Sequence, residues 1–208
     1  MKMFDYDAYQ LLKKYGIPVA KYDLAKTKAD AWKMAKGIGY PVYMKVDSPD
    51  IVHKAALGCV DIVKQDADKA FDRMMTKARK ITGNINGIII QEQLSGVEAI
   101  VGAKRDEQFG PVVMFGTGGP MAEAAKDTVF RLVHLSRKDA SEMIDSTKIG
   151  VFLNKKGFKK HKLEKIILNV SRLIDKNKDI AELDINPVFL PAGVAADVRI
   201  ILQKGFSH

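Results

Sequence analysis

The sequence predicts an α+β protein built as two lobes, each a mixed sheet carrying helices. Three observations predict it. Apolar spacing switches repeatedly between the helical period of 3.6 and the strand period of 2. A break around residues 93–96 separates two such blocks, 1–95 and 96–208. The second block closes on "AELDINPVFLPAGVAADVRIIL" (181–202), two alternating runs either side of a turn. A chain of 208 residues suffices for two small lobes, each with its own core.

The elements follow in order. Residues 5–15 cluster Tyr6, Tyr9, Leu11 and Leu12 and stop at Gly16, which predicts a leading helix in the first lobe. "IPV" is a short extended piece. Thr27 and Asp30 have capping-box spacing, opening a helix through Ala31, Met34, Ala35 and Ile38 that ends before Gly39. "PVYMKV" (41–46), "CVDIV" (59–63) and "GIIIQEQ" (87–93) read as strands, and residues 66–81 between the last two as a helix. In the second lobe "VEAIVGAK", "PVVMFG" and "FRLVHL" read as strands. Ser136 and Asp139 open a helix over 137–147, and Leu163, Ile166, Ile167, Val170 and Ile174 mark a long one over 161–176.

Composition narrows the function classes. There is no apolar run long enough for a membrane span and no signal-peptide core at "MKMFDYDAYQ", so a cytoplasmic protein is expected. The single Cys59 excludes an internal disulfide and supplies no zinc spacing. Net charge is +9, with much of the excess in "NKKGFKKHKLEK" (154–165). That run carries one aromatic residue and no nucleic-acid motif; it fits a solvated loop and first helical turn, or a contact with a partner or polyanion.

The closing hairpin is where chemistry first shows. Alternation puts Glu182, Asp184 and Asn186 on one face, and Asp197 with Arg199 on the matching face of the second run. A turn centred on Pro191 and Ala192 pairs Asn186 with Asp197 and Asp184 with Arg199. Two readings fit: a cross-strand Asp184–Arg199 ion pair, or an oxygen-rich patch able to hold Mg²⁺, which keeps several waters and needs few protein ligands.

Elsewhere the signals also come in pairs. Lys45 on "PVYMKV" fits a point charge for phosphate, or a snorkelling surface lysine. The loop "DSPDIVHKAALG" (47–58) holds His53 beside Lys54. A loop histidine is either incidental or a nucleophile toward phosphorus, and a neighbouring ammonium would attract the phosphoryl group. "GTGGPM" (116–121) is no dinucleotide fingerprint. Gly118 and Gly119, ahead of a short helix with Glu123, give a loop for close anion approach or a tight strand-to-helix turn. Together these pieces fit a nucleotide cleft between the lobes, with "QEQL" presenting backbone groups to an adenine edge.

At this point the sequence resembles the β subunit of ADP-forming acetyl-CoA synthetases, a family with the ATP-grasp fold. The matching stretches are "LLKKYGIPV", "AKGIGYPVYMKVDSPDIVHK", "RDEQFGPVVMFGTGG", "KDTVFRL" and "ELDINPVF…ADVRIIL", in family order from residue 11 to 202. The resemblance implies ATP/ADP and Mg²⁺ as cofactors. It implies Lys45, Lys54, Gly58, Gly118, Gly119 and Glu123 around the phosphates, Glu92, Gln93 and Leu94 at adenine, and Glu98 lining the pocket. It also implies Asn186 and Asp197 as Mg²⁺ ligands with Asp184 beside them, Arg131 as a contributor to catalysis, and His53 as a phosphoryl relay. The implied reaction is acyl-CoA + ADP + Pᵢ ⇌ carboxylate + ATP + CoA, shared with a CoA-binding α subunit in a heterotetramer, with no nucleic-acid or membrane partner.

The chain departs from the family in two places. Where the family reads Ser-Asp-Ala-Gly-Gly-Val after His-Lys, this chain has "AALGCV", with Ala56 for Asp and Cys59 for the second Gly. A Cβ at 59 is expected to restrict a phosphate-wrapping loop. An Arg-Gly element appears as Lys156-Gly157, without bidentate recognition. These departures support the alternative of a nucleotide-binding partner subunit weakened in catalysis.

Overall fold

The computed structural model describes residues 1–119 and 127–203. The chain divides into two compact units, one of Lys2–Asp7 with Ala20–Leu94, the other of Met1, Ala8–Val19 and Ser95–His208. The leading helix, assigned above to the first lobe, therefore contributes only its first residues there; from Ala8 onward it groups with the second.

The smaller unit is a four-stranded antiparallel sheet covered on one face by helices. Its elements are β1 (Tyr22–Ala25), α2 (Lys28–Ile38), β2 (Val42–Asp47), β3 (Val60–Val63), α3 (Ala67–Arg79) and β4 (Gly87–Glu92), following α1 (Asp5–Lys14), with strand order β1-β4-β2-β3. Helix α2 begins where its sequence says: the Thr27 hydroxyl accepts from the Asp30 amide while the Asp30 carboxylate accepts from the Thr27 amide. Val42, Met44, Val46, Ile88 and Ile90 point to the helices and form the core with Ala31, Ala35, Ala70, Phe71 and Met74. Alternation then sends Tyr43, Lys45 and Asp47 to the other face. Strand β1 was not expected. At four residues on a sheet edge it is too short to show a period.

In the larger unit β5 (Val97–Asp106), β6 (Gly110–Thr117), β7 (Thr128–Leu132), β8 (Ile180–Leu190) and β10 (Val198–Leu202) lie in the order β10-β8-β5-β6-β7, with β9 (Val194–Ala195) paired to β8. Three helices follow β7: α4 (Arg137–Asp145), α5 (Lys148–Lys155) and α6 (His161–Lys176). Strand β7 lies two to three residues earlier than "FRLVHL" suggested. The 137–147 helix is two residues shorter, because Thr147 turns out to be a new N-cap, its hydroxyl accepting from the Gly150 amide to start α5. Part of the basic run is thus helical, and Gly157 ends it at φ +67°. Helix α6 buries Leu163, Ile166, Ile167, Val170, Leu173 and Ile174, and packs on β5 and β6. The guanidinium of Arg105, on β5, closes the far end of α6 by donating to the carbonyls of Ile174, Asn177 and Ile180. No helix among the described residues is long and apolar enough to cross a membrane.

Candidate functional site

The hairpin forms with the expected register: Arg199 opposite Asp184 and Val198 opposite Ile185 on β8. Leu183 and Ile185 are buried, while Glu182, Asp184 and Asn186 are only partly covered. The Asp184–Arg199 ion pair, one of the two readings, does not form. Arg199 Nη2 instead reaches diagonally to Glu182 Oε1 at 2.6 Å, both side chains being nearly half exposed. The reason is solvation: a long guanidinium pairs at least cost with the carboxylate at the surface, not with one sunk at the sheet's centre. Asp184 Oδ1 is buried and has no hydrogen-bond partner among the described residues. Burial pushes the Asp184 carboxyl pKa up against the pull of Arg199, and Glu182 and Asp197 push the same way.

Opposite Asp184 across β5 lies Gly102, and next to Gly102 on β6 lies Met114. With Ile100, Val112 and Phe130 these line a depression of about 170 Å³ with Asp184 at its edge. The space exists because Gly102 has no side chain: a Cβ there would come within 3.2 Å of the Leu183 carbonyl and of Met114. Asn186 sits where the β5–β8 register shifts, since Val101 faces Ile185 but Ala99 faces Val188. Such a bulge re-aims side chains. Asp197, exposed, is approached by Tyr9 of α1, whose buried hydroxyl donates to the Ala196 carbonyl at 3.1 Å and lies 3.4 Å from Asp197 Oδ1. Tyr9 was read only as an apolar helix position, and nothing in its local sequence marks it otherwise.

The donor set Asp184, Asn186 and Asp197 is oxygen alone, which suits a hard cation. Among the described residues no three His, Cys, Asp or Glu side chains converge on one point. Such a set would suit an ion that completes its shell with water and phosphate.

The glycine loop after β6 has a packing explanation as well. A Cβ on Gly118 would lie 2.7 Å from the backbone of Ala99, and one on Gly119, at φ +75°, 2.4 Å from Glu98 Oε2. Gly118 also donates its amide to the Glu98 carbonyl at 2.8 Å. Glu98 thus lies against the glycine loop. Glu123 lies outside the described residues. Arg131 is not brought to this group. It pairs with Val113, a core-facing residue, while Phe130 pairs with Met114 on the Asp184 face; alternation therefore puts Arg131 on the opposite side of the sheet.

In the smaller unit Lys45 is buried on β2, its ammonium 5.9 Å from the ring of Tyr43, so it is not a snorkelling surface lysine. Glu92 is committed locally: its carboxylate accepts from the Lys21 amide at 2.6 Å and its own amide donates to the Lys21 carbonyl at 2.9 Å. The His53 loop is fastened on both sides of the histidine. Asp50 accepts from the Thr82 hydroxyl at 2.6 Å, Ile51 is buried in the core, and the Lys54 ammonium pairs with the Asp5 carboxylate. His53 itself is exposed. Lys54, expected to face a phosphoryl group, is held by Asp5. Gly58 adopts φ +63°, and a Cβ on it would collide with the Lys77 ammonium. Cys59 donates its thiol hydrogen to the Leu57 carbonyl of the loop at 3.7 Å. Its side chain is wholly buried in the core, and its carbonyl accepts from Val46 as an extension of the β2–β3 ladder.

An ATP-grasp domain is the class of protein that this pair of sheets defines, and that family matches residues 2–202. The chain is 40% identical to the acetate–CoA ligase [ADP-forming] II subunit β of Pyrococcus furiosus, over 97% of this chain and 92% of that one. Two structures of acetyl-coenzyme A synthetase 1 from Ca. Korarchaeum cryptofilum superpose with it. One, at 33% identity and TM-score 0.83, holds coenzyme A, acetyl-coenzyme A and a phosphorylated phosphohistidine segment in a site I orientation. The other, at 31% and 0.79, holds coenzyme A and Mg-AMPPCP with that segment pointing towards the nucleotide site. Each covers 97% of this chain and 93% of its own. The present chain belongs to the ATP-grasp family and, within it, to the β subunits of ADP-forming acetate–CoA ligases.

Proposed function

We propose that the chain is the nucleotide-binding subunit of an ADP-forming acyl-CoA synthetase, and that His53 carries the phosphoryl group to or from the nucleotide. The observation that carries this reading is an exposed imidazole on a loop fastened on either side of it, in a chain 40% identical to a ligase β subunit. Buried Lys45 supplies a fixed positive charge for phosphate oxygens. Gln93 and Leu94 read the adenine edge, since the Glu92 amide and carboxylate are already bound to Lys21. Asn186 and Asp197 would hold Mg²⁺ with Asp184 beside them, and the metal would neutralise phosphate charge when bound. Glu98, Gly118 and Gly119 wall the pocket. With ATP as donor, an imidazole nitrogen attacks the γ-phosphorus, the bond to the β–γ bridging oxygen breaks, and ADP leaves. The phosphoryl group then passes to a CoA-binding α subunit, with which the chain forms a heterotetramer in the cytoplasm.

The test is incubation of the chain with its α subunit, Mg²⁺ and γ-³²P-ATP, comparing wild type with His53→Ala. Acid-labile, alkali-stable label on the wild-type chain and none on the variant is the expected result. Nucleotide binding without label would overturn the relay.

A further inference from the structure

Asp5, in the first turn of α1, is 3% exposed and accepts two ammonium groups, Lys2 at 2.7 Å and Lys54. Lys54 directly follows His53. The helix end that carries Asp5 is itself fixed, because the Asp5 amide donates to Asp47 Oδ1 at 2.7 Å, and Asp47 Oδ2 accepts from Asn86 at 2.8 Å. Behind Lys54 the loop closes on itself: the Leu57 amide donates to the His53 carbonyl and the Cys59 amide to the Lys54 carbonyl. Holding the Lys54 side chain therefore holds the peptide that bears His53. All of these groups belong to one compact unit.

We propose that Asp5 is a positioning residue that latches the His53 segment through Lys54, and that loading His53 with a phosphoryl group opens the latch. This rests on the relay reading given above. Two features make the device reversible. Lys54 has a long flexible stem, so its charge can leave Asp5 without moving the helix that carries Asp5. Lys2 stays behind, so Asp5 is not left as an uncompensated buried anion, the condition that makes most such pairs costly to break. A phosphohistidine brings close to two negative charges to the residue next to Lys54 and competes with Asp5 for the same ammonium. The empty segment is held, and the loaded one is released.

Amide hydrogen exchange over residues 50–58 reads the latch directly, on the full chain without ligand. Asp5→Asn keeps the shape and removes the charge, and should speed exchange in 53–58 by about tenfold or more, with α3 unchanged. Asp5→Glu should restore most of the protection. In wild type, phosphorylation of His53 should give a comparable increase, and in Asp5→Asn it should add little. Unchanged exchange in 53–58, a rise confined to α1, or an equal rise throughout the unit would each overturn the latch. A wild-type chain that takes no phosphoryl group would instead overturn the relay, and the Asp5→Asn comparison would still decide whether Asp5 holds the loop.

Discussion

Asp47, wholly buried, and Asp184, partly covered but with a buried carboxylate oxygen, lie on different sheets, and the protein answers them in opposite ways. Burial raises the pKa of both carboxyls. Asp47 has both oxygens engaged, one by the Asp5 amide and one by Asn86. Asp184 keeps a buried oxygen with no partner among the described residues, although Arg199 sits opposite and turns to Glu182. A buried acid with its lone pairs satisfied is architecture; one left unsatisfied beside other oxygen donors is a stability cost that a bound cation would offset. The contrast separates an acid that supports the His53 loop from one that we propose lies beside a bound cation.

Asp47→Ala should have the largest effect on stability. It strands a helix-terminal amide and the Asn86 amide, for a loss of about 3 kcal/mol, seen as a melting-temperature drop of roughly 6–12 °C. If stability is unchanged, the two acids do not differ as described. Asp184→Asn should move the other way, stabilising the ligand-free chain by about 1 kcal/mol while lowering phosphoryl transfer. The sign with pH follows from its raised pKa. Wild type loses stability as pH rises through the folded-state value and the buried group ionises, whereas the variant does not. The gain should therefore grow from acid to neutral pH in paired melting curves and vanish at low pH. A gain independent of pH would show that folding does not raise the Asp184 pKa. Tyr9→Phe should be the mildest. It removes a hydroxyl bonded chiefly to the Ala196 carbonyl, so Mg²⁺ dependence of nucleotide binding should weaken by less than about tenfold, measured by calorimetry.

How much of this was legible in the sequence depends on how local the determining contacts are. The hairpin register could be read because a four-residue turn fixes it, and the Asp184–Arg199 pairing came out as the arithmetic requires. Both Thr27–Asp30 and Ser136–Asp139 caps were legible for the same reason. Helix α5 was not read, although Thr147, the Ile149–Leu153 spacing and Gly157 mark it, because the lysines around it read as a solvated loop. Where Arg199 would go was not legible, since it turns on burial. Arg131 was placed by resemblance, and only the β6–β7 register shows which face it takes. The Asp5–Lys54 pair spans 49 residues and the Tyr9–Asp197 approach 188, and no periodicity or spacing rule reaches that far.

The bulge at Asn186 also determines where this chain can change length. Immediately before it the core-facing residues of β8 are odd-numbered, Leu183 and Ile185; after it they are even, Val188 and Leu190. Removing one residue between Ile185 and Val188 would restore simple alternation with Val188 and Leu190 still facing the core, but would erase the bulge that aims Asn186. At the tip, where Pro191 and Ala192 are exposed, an added residue would leave both faces as they are. Insertions should be tolerated at the end of the hairpin and rejected at its middle, so the segment beside the oxygen donors keeps a fixed length while its far end is at liberty to vary.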